Sequence, residues 1–208
     1  MDFERARFNM IEQQIRPWNV LDPSVLALLR KVPREQFVTP QQQALAFADL
    51  SIRLDHDQVM MQPKVEARLI QALALTRQDR VLEIGTGSGY LTALLAAGAA
   101  SVVSVEIYSA LPLQAGARLQ SAGFDTVELK TGDGATGWLD NTLYDAIIIT
   151  GSLPTLPTPF VEALAPGGRL VAIIGEAPAM EAMLYHKTST GLLMTSLFDT
   201  VVPPLVNT

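Results

Sequence analysis

Glu83, Glu106 and Asp133 each lie at or near the end of an apolar run, where a carboxylate can hold part of a ligand. Glu83 belongs to residues 81–90, which read Val-Leu-Glu-Ile-Gly-Thr-Gly-Ser-Gly-Tyr. The turn residues predicted to bind the ligand are Gly85, Thr86, Gly87 and Gly89. Glycine has no Cβ, so its backbone can turn sharply and approach a ligand closely. Dinucleotide folds use Gly-x-Gly-x-x-Gly, but the third glycine here follows the second by two residues. The turn therefore suits a ligand with an amine near Glu83 rather than a pyrophosphate.

Glu106 and Asp133 are predicted to hold the other end of the same ligand. Glu106 ends the β-rich run 101–106 and lies about 20 residues after the first glycine, where nucleotide-binding βαβ units place the acid that holds the ribose hydroxyls. The following Ile107 is assigned to the same site. Asp133, with Gly134, follows a candidate strand at 126–129 and is placed to accept a hydrogen bond from an adenine amino group. The alternatives are a polar strand end at Glu106 and a simple Gly-Asp-Gly turn at Asp133.

An alternation of strands and helices from residue 77 must position these acids, because ligands bind at the carboxyl edge of a parallel sheet. The predicted strands are 81–84, 101–106, 126–129, 144–150 and 166–175, and residues 91–97 are predicted to be helical. After a short connection at 178–183, residues 183–186, 192–198 and 200–202 are predicted to form strands, antiparallel at one edge. The pattern predicts an α/β fold with a doubly wound, Rossmann-like sheet and C-terminal antiparallel strands.

The N-terminal third is predicted to be a helical cap. Helical spacing of apolar residues covers much of residues 1–30, and Pro17 should end the first helix, since proline cannot continue one. Residues 40–48 are predicted to form a short helix. Residues 63–75 form an amphipathic helix whose outward side chains should be Lys64, Glu66, Arg68 and Gln71. We divide the chain into a cap with a substrate-side loop at 1–76 and a core at 77–208, packed as a single compact unit.

The composition limits the class of protein. A net charge of −6 argues against general binding to nucleic acid, which needs clustered lysine and arginine. With no cysteine and two histidines, neither a disulfide nor a structural zinc site is expected, and no metal ligand is assigned. There is no apolar run of about 18 residues that would span a membrane. The charged N-terminus does not resemble a signal peptide, so a cytoplasmic location is expected. The sequence does not indicate an oligomeric state.

Over residues 77–175 the sequence resembles the class I S-adenosylmethionine-dependent methyltransferases. The stretch Glu83-x-Gly85-x-Gly87-x-Gly89 resembles their first motif, and the Pro166-Gly167-Gly168 turn before a strand is also typical of them. The resemblance implies that S-adenosylmethionine is the cofactor, with its ribose at Glu106 and its adenine near Asp133.

Nearly the whole chain resembles a narrower family, the protein-L-isoaspartate O-methyltransferases. The segments that carry this resemblance are 32–38, 46–49, 57–67, 132–138 and 144–150, in the family's order and at similar spacing. The resemblance implies methyl transfer to the α-carboxylate of L-isoaspartyl residues, the first step in the repair of damaged proteins. The expected partners are therefore isoaspartyl-containing proteins or peptides.

One segment departs from the pattern of that family, which reads Gly-Gln-Thr-Ile-Ser-x-Pro and uses the serine in its active site. Here Asp57, Val59 and Met61 replace the glycine, threonine and serine, whereas Gln58 matches. We assign Met61, Gln58 and Lys64 to the acceptor site, with Lys64 the best candidate to hold a carboxylate. Two alternatives stay open: the same fold acting on a different, small-molecule acceptor, and a protein that binds the cofactor without catalysis.

Overall fold

The computed structural model describes all 208 residues, and a mixed β-sheet forms its centre. The strands are β1 (Ile52–Arg53), β2 (Val59–Met60), β3 (Arg80–Ile84), β4 (Ser101–Glu106), β5 (Val127–Thr131), β6 (Tyr144–Leu153), β7 (Leu164–Glu176), β8 (Ala179–Thr188) and β9 (Gly191–Asp199). The α-helices are α1 (Phe3–Met10), α2 (Pro23–Lys31), α3 (Pro63–Leu73), α4 (Tyr90–Gly98), α5 (Ala110–Ser121) and α6 (Thr158–Glu162).

Seven strands form the main sheet in the order β5-β4-β3-β6-β7-β8-β9. The first five of these pair in parallel, and β8 and β9 extend the sheet as an antiparallel edge, as the sequence predicted. The order reverses beside β3, where the chain passes outward to β4 and β5 and later returns to β6. Ligands of doubly wound sheets bind at this kind of switch point.

Two details of the C-terminal region differ from the prediction. The segment predicted as a connection at 178–183 is mostly strand, because β8 begins at Ala179 and pairs along its length with β7. Residues 200–202 are not a strand. Beyond them, the chain crosses the end of β6, where the Ser152 amide donates to the Pro203 carbonyl and the Leu205 amide donates to the Ser152 carbonyl, both at 3.0 Å. Proline lacks an amide hydrogen, so the Pro203-Pro204 pair cannot sustain a longer ladder.

The N-terminal cap is mostly helical. Helix α1 continues through a π-helical turn at Ile11–Ile15 and a 3-10 turn at Arg16–Trp18, which ends at Asn19 in a left-handed conformation. Asp22 caps the start of helix α2, with its side chain accepting a hydrogen bond from the Ser24 amide. The predicted helix at 40–48 is a 3-10 helix at Pro40–Leu45. The two-residue strands β1 and β2 form a hairpin that carries the departing segment.

A single hydrophobic cluster joins the cap to the sheet. Its 37 buried residues run from Met10 in α1 to Val202 and include members of α2, α3, α4 and the central strands. Burial of this continuous apolar surface fixes the hairpin and α3 relative to the carboxyl edge of the sheet. The boundary between residues 76 and 77 stays a prediction.

Candidate functional site

A cavity opens at the carboxyl end of β3, β4 and β6. Its walls come from three parts of the chain: the hairpin segment 58–61, the turns after the central strands, and residues 203–206. The charged side chains in its lining are three carboxylates, those of Glu66, Glu106 and Asp133. This charge suits a ligand that carries positive groups.

The glycine turn after β3 forms the floor of the cavity. Gly85 adopts a φ of +95°, and a Cβ there would lie 2.1 Å from Thr150 Oγ1, so only glycine fits. Its amide donates to the Val105 carbonyl at 2.8 Å, which ties the turn to β4. Gly85, Thr86 and Gly87 line the cavity, and their contact with the cofactor stays a prediction.

Glu106 lies at the end of β4 with its carboxylate beside the glycine turn. Glu106 Oε2 accepts a hydrogen bond from the Gly87 amide at 3.0 Å, and Oε1 accepts one from the Tyr108 amide at 3.2 Å. These bonds fix the carboxylate while each oxygen keeps a lone pair for a further donor. Glu106 and Ile107 both line the cavity, so the carboxylate is placed to bind hydroxyl groups.

Asp133 and Gly134 lie on the far side of the cavity. Asp133 Oδ1 accepts from the Ala135 amide and Oδ2 accepts from Asn207 Nδ2, both at 2.9 Å. The hydrogen bond from the Ala135 amide, followed by that from Asn207, lowers the pKa of the Asp133 carboxyl, which is exposed. The contact with Asn207 joins the C-terminal segment to the predicted adenine end.

Glu83, whose assignment to the cofactor stays a prediction, lies beneath the glycine turn. It is fully buried and does not line the cavity, because its side chain points beneath the turn toward α4. Glu83 Oε2 accepts hydrogen bonds from Thr92 Oγ1 at 2.5 Å and from Ser104 Oγ at 2.6 Å, whereas Oε1 has no partner. Burial raises the pKa of the Glu83 carboxyl to about 8. In this structure its contact is with the elements that support the turn, not with the cavity.

Gly89 is also outside the cavity lining. It precedes α4 with a φ of +85°, and a Cβ there would lie 2.9 Å from the Cβ of Ala115. Gly89 therefore permits close packing of α4 against α5, which is a structural reason for the third glycine of the motif.

The hairpin segment that departs from the family pattern forms the opposite end of the cavity. Gln58, Val59, Met60 and Met61 all line it. Met60 and Met61 are also buried members of the hydrophobic cluster. The Gln58 side chain donates to the His56 carbonyl at 3.0 Å, so its amide group holds the loop. We call this group of four residues the acceptor end.

Glu66 lines the acceptor end, although the sequence placed it on the outside of its helix. It is 2% exposed and forms a salt bridge with Arg34, which is 0% exposed. Arg34 also donates to the Met61 carbonyl at 2.6 Å and to the Ala46 carbonyl at 2.8 Å. Buried charges are retained when they are paired and hydrogen-bonded. The partner of Glu66 is 32 residues away in the sequence, so the amphipathic pattern of α3 could not reveal it.

Lys64 is not brought to the cavity. Its Nζ lies 2.6 Å from Asp49 Oδ2 and 4.3 Å from the centre of the Trp18 ring. Residues two apart on a helix point about 200° away from each other, so Lys64 and Glu66 face opposite sides of α3. The assignment of Lys64 to the acceptor site stays a prediction, and the contacts of Lys64 in this structure do not support it.

Residues 203–206 were not assigned to the site from the sequence. Pro203, Pro204, Leu205 and Val206 line the cavity next to Thr150 and Gly151. A Cβ on Gly151 would lie 2.7 Å from Leu205 Cδ2, so this glycine allows the segment to lie against β6. Two prolines followed by two apolar residues gave no periodic pattern that would have identified this segment as a wall of the cavity.

Comparison with known proteins identifies the family. A model of the family Protein-L-isoaspartate(D-aspartate) O-methyltransferase (PCMT) matches residues 5–207. The chain belongs to this family. The protein-L-isoaspartate O-methyltransferase of Picosynechococcus sp. is 41% identical over 199 residues, which cover 96% of this chain and 89% of that protein. Protein-L-isoaspartate O-methyltransferase 2 of Pelobacter propionicus is 41% identical over 181 residues, which cover 87% and 80% of the two chains.

Solved structures of this family have the same fold. A Plasmodium falciparum structure of a protein of this type, in complex with S-adenosyl-L-homocysteine, superposes with a TM-score of 0.81 at 19% identity and covers 100% of both chains. Another protein-L-isoaspartate O-methyltransferase gives 0.80 at 24% identity, covering 97% of this chain and 65% of that one. The α/β class I methyltransferase fold predicted from the sequence is confirmed. None of the helices combines the length and apolar character needed to cross a membrane. No cluster of three or more histidine, aspartate or glutamate side chains could hold a metal ion.

Proposed function

We propose that this protein transfers a methyl group from S-adenosylmethionine to the α-carboxylate of L-isoaspartyl residues in proteins or peptides. The observation that carries the proposal is that the glycine turn, Glu106, Asp133 and the acceptor end all line one cavity. Membership of the family supports the reaction, and the relatives named above support the acceptor.

The lining fits S-adenosylmethionine. When bound, the cofactor supplies an electrophilic methyl group on a positively charged sulfur. The carboxylates of Glu106 and Asp133 give the cavity a negative charge, which favours a ligand with sulfonium and ammonium groups. Glu106 would hold the ribose hydroxyls and Asp133 the adenine amino group, while the backbone of Gly85 and Gly87 would lie along the rest of the ligand.

The acceptor chemistry requires positioning rather than proton transfer. An isoaspartyl α-carboxylate is ionised at neutral pH, so no general base is needed. The side chains of Val59, Met60 and Met61 exclude water from the acceptor end. A serine in place of Met61 would add one hydrogen-bond donor there, and the loss of such a positioning contact can cost about 10²-fold in rate. We therefore expect slow transfer by the natural chain.

The test is transfer of labelled methyl from S-adenosylmethionine to an isoaspartyl peptide, with the aspartyl peptide of the same sequence as the control substrate. The natural protein should label only the isoaspartyl peptide. The Met61→Ser variant should label it faster, by up to about 10²-fold, without a change in cofactor affinity. Met194→Ser, an exposed methionine on β9, is the matched control and should have no effect.

A different acceptor is the second candidate, because two methionines and a valine form an apolar acceptor end. The proposed function fails if neither the natural protein nor Met61→Ser labels the isoaspartyl peptide while calorimetry shows that the cofactor binds. Labelling of other acceptor classes under the same conditions would then support the second candidate.

A further inference from the structure

The ion pair between Arg34 and Glu66 lies directly behind the acceptor end. Arg34 uses all three of its nitrogens: one contacts Glu66 Oε2, and the others donate to the Met61 and Ala46 carbonyls. The guanidinium also lies over the ring of Tyr90, 4.6 Å from its centre. Arg34 thereby holds Glu66 and the backbone of Met61 in a fixed relation, so the Glu66 carboxylate is preorganised at the wall of the cavity.

The second oxygen of Glu66 is free. Glu66 Oε1 makes no hydrogen bond within the protein, in contrast to Oε2. Glu83 Oε1 and Glu35 Oε2 also lack a hydrogen-bond partner, but they are fully enclosed by protein, and Glu66 Oε1 does not belong to that group. Because Glu66 lines the cavity, its free oxygen is reachable from there. A nearly buried carboxylate oxygen gains a large part of its lost hydration when a ligand donates a hydrogen bond to it.

The charge around Glu66 determines which ligand group it can bind. Arg34 forms an ion pair with Glu66, and Glu106 and Asp133 lie in the same cavity lining. The buried Glu83 carboxyl is close enough to interact electrostatically with Glu66. Burial raises the pKa of the Glu66 carboxyl to about 7, and the Arg34 guanidinium opposes this rise. At pH 8 the group is therefore mainly ionised and can only accept hydrogen bonds.

An isoaspartyl residue offers one donor beside the carboxylate that is methylated. That donor is the peptide N–H on the same Cα; the other neighbouring groups are methylene and carbonyl, and neither donates. An ionised Glu66 would repel the α-carboxylate itself but would bind this N–H.

We propose that Glu66 determines acceptor specificity by accepting a hydrogen bond, through its free oxygen, from the N–H group next to the carboxylate that is methylated. This inference rests on the proposed function and narrows it to acceptors that carry such a donor. Arg34 acts through Glu66 as a positioning residue. Val59 and Met61 stand where the family has hydroxyl side chains. Glu66 therefore remains as a polar group in this part of the cavity wall, with one oxygen free to accept a hydrogen bond.

The test compares two isoaspartyl peptides of the same sequence, one of which has a methyl group on the isoaspartyl nitrogen. The measured quantity is the ratio of kcat/KM for the two peptides at pH 8. The natural protein should prefer the N–H peptide by between about 10- and 100-fold, the worth of a hydrogen bond to a charged group. Glu66→Gln retains a carbonyl acceptor and should keep most of this preference. Glu66→Ala should bring the ratio close to one.

Two controls separate this role from a structural one. Glu35→Gln removes charge from another buried arginine–glutamate pair in the cap, that with Arg7, and should leave the ratio unchanged. If Glu66→Ala does not fold, the double variant Arg34→Met with Glu66→Leu replaces both charges by apolar groups, a change that buried pairs often tolerate. That variant should also lose the preference.

Equal use of the two peptides by the natural protein would overturn the role of Glu66. A preference that persists in Glu66→Ala or in the double variant would also overturn it, because the N-methyl group would then be excluded by shape. No labelling of the N–H peptide by either the natural protein or Met61→Ser, with the cofactor bound, would instead contradict the proposed function and remove this inference with it.

Discussion

His56 and Tyr108 stack face to face, with ring centroids 4.3 Å apart and planes inclined by 2°. His56 lies in the loop between β1 and β2, and Tyr108 follows Glu106 by two residues. A second contact supports the first, since Gln114 Nε2 donates to Asp55 Oδ2 at 2.8 Å. The loop that leads to the acceptor end is thereby fastened to the strand end that carries the predicted ribose contact.

Replacement of His56 by alanine should speed the release of the cofactor. Loss of an aromatic pair removes roughly 0.5–1.5 kcal/mol, so we expect the dissociation rate constant to rise by up to about tenfold. Stopped-flow measurement of cofactor release gives this rate. His186→Ala, on β8, is the matched control and should leave the rate unchanged. An unaltered rate in His56→Ala would mean that the stack does not restrain the loop.

Replacement of Glu106 by alanine should weaken the binding of S-adenosylmethionine by between about 10- and 100-fold, because hydrogen bonds to a charged group are lost. The change also releases the Gly87 and Tyr108 amides. Titration calorimetry measures the Kd. Glu128→Ala removes an exposed acid from the neighbouring strand β5 and should bind the cofactor normally. Equal affinities of Glu106→Ala and the natural protein would exclude Glu106 from the cofactor site.

Replacement of Gly85 by alanine should destabilise the protein more than the same change at Gly123. Both glycines have positive φ angles, +95° and +81°, so both changes strain the backbone, each by on the order of 1–3 kcal/mol. At Gly85 the new Cβ also meets Thr150 Oγ1 at 2.1 Å, whereas at Gly123 nothing lies within 4 Å. The difference in Tm between the two variants isolates the cost of this contact. Equal values of Tm would show that the turn accommodates the new Cβ without a further loss of stability.

The stability of the cofactor-free protein should depend on Glu83 as pH changes. Burial raises the pKa of this carboxyl from an ordinary 4.5 to about 8. The folded state therefore binds the proton more tightly than the unfolded state, and stability falls as pH rises from about 4.5 through about 8. Urea unfolding at several pH values should show a steeper fall for the natural protein than for Glu83→Gln. Glu128→Gln should show the same pH dependence of stability as the natural protein. Parallel curves for all three proteins would contradict the role of buried Glu83 in this pH dependence.

The fold was predictable from the sequence because its features are local. The glycine turn after β3, Glu106 at the end of β4 and Asp133 after β5 each follow a recognisable strand, and the sheet brings their positions together. Glycine spacing alone, however, could not separate Gly85 and Gly87, which line the cavity, from Gly89, which allows two helices to pack.

The site residues that the sequence missed depend on distant partners. Glu66 is inside because Arg34 neutralises it, and Lys64 is elsewhere because Asp49 and Trp18 hold it. Glu83 turned out to support the turn from below, since Thr92 and Ser104 come together only in the folded sheet. Periodicity reports which face of a helix is apolar, but it carries no information about pairs of charges that become buried together.

The C-terminal wall of the cavity has a consequence for the order in which the protein matures. Residues 58–61 and 203–206 line the same space, although more than 140 positions separate them in the chain. When only the central strands have left the ribosomal exit tunnel, the glycine turn and the two acids are therefore present without the wall that residues 203–206 form. Competence to hold the methyl donor should arise only once residues 203–206 have left the tunnel, and should not accumulate strand by strand.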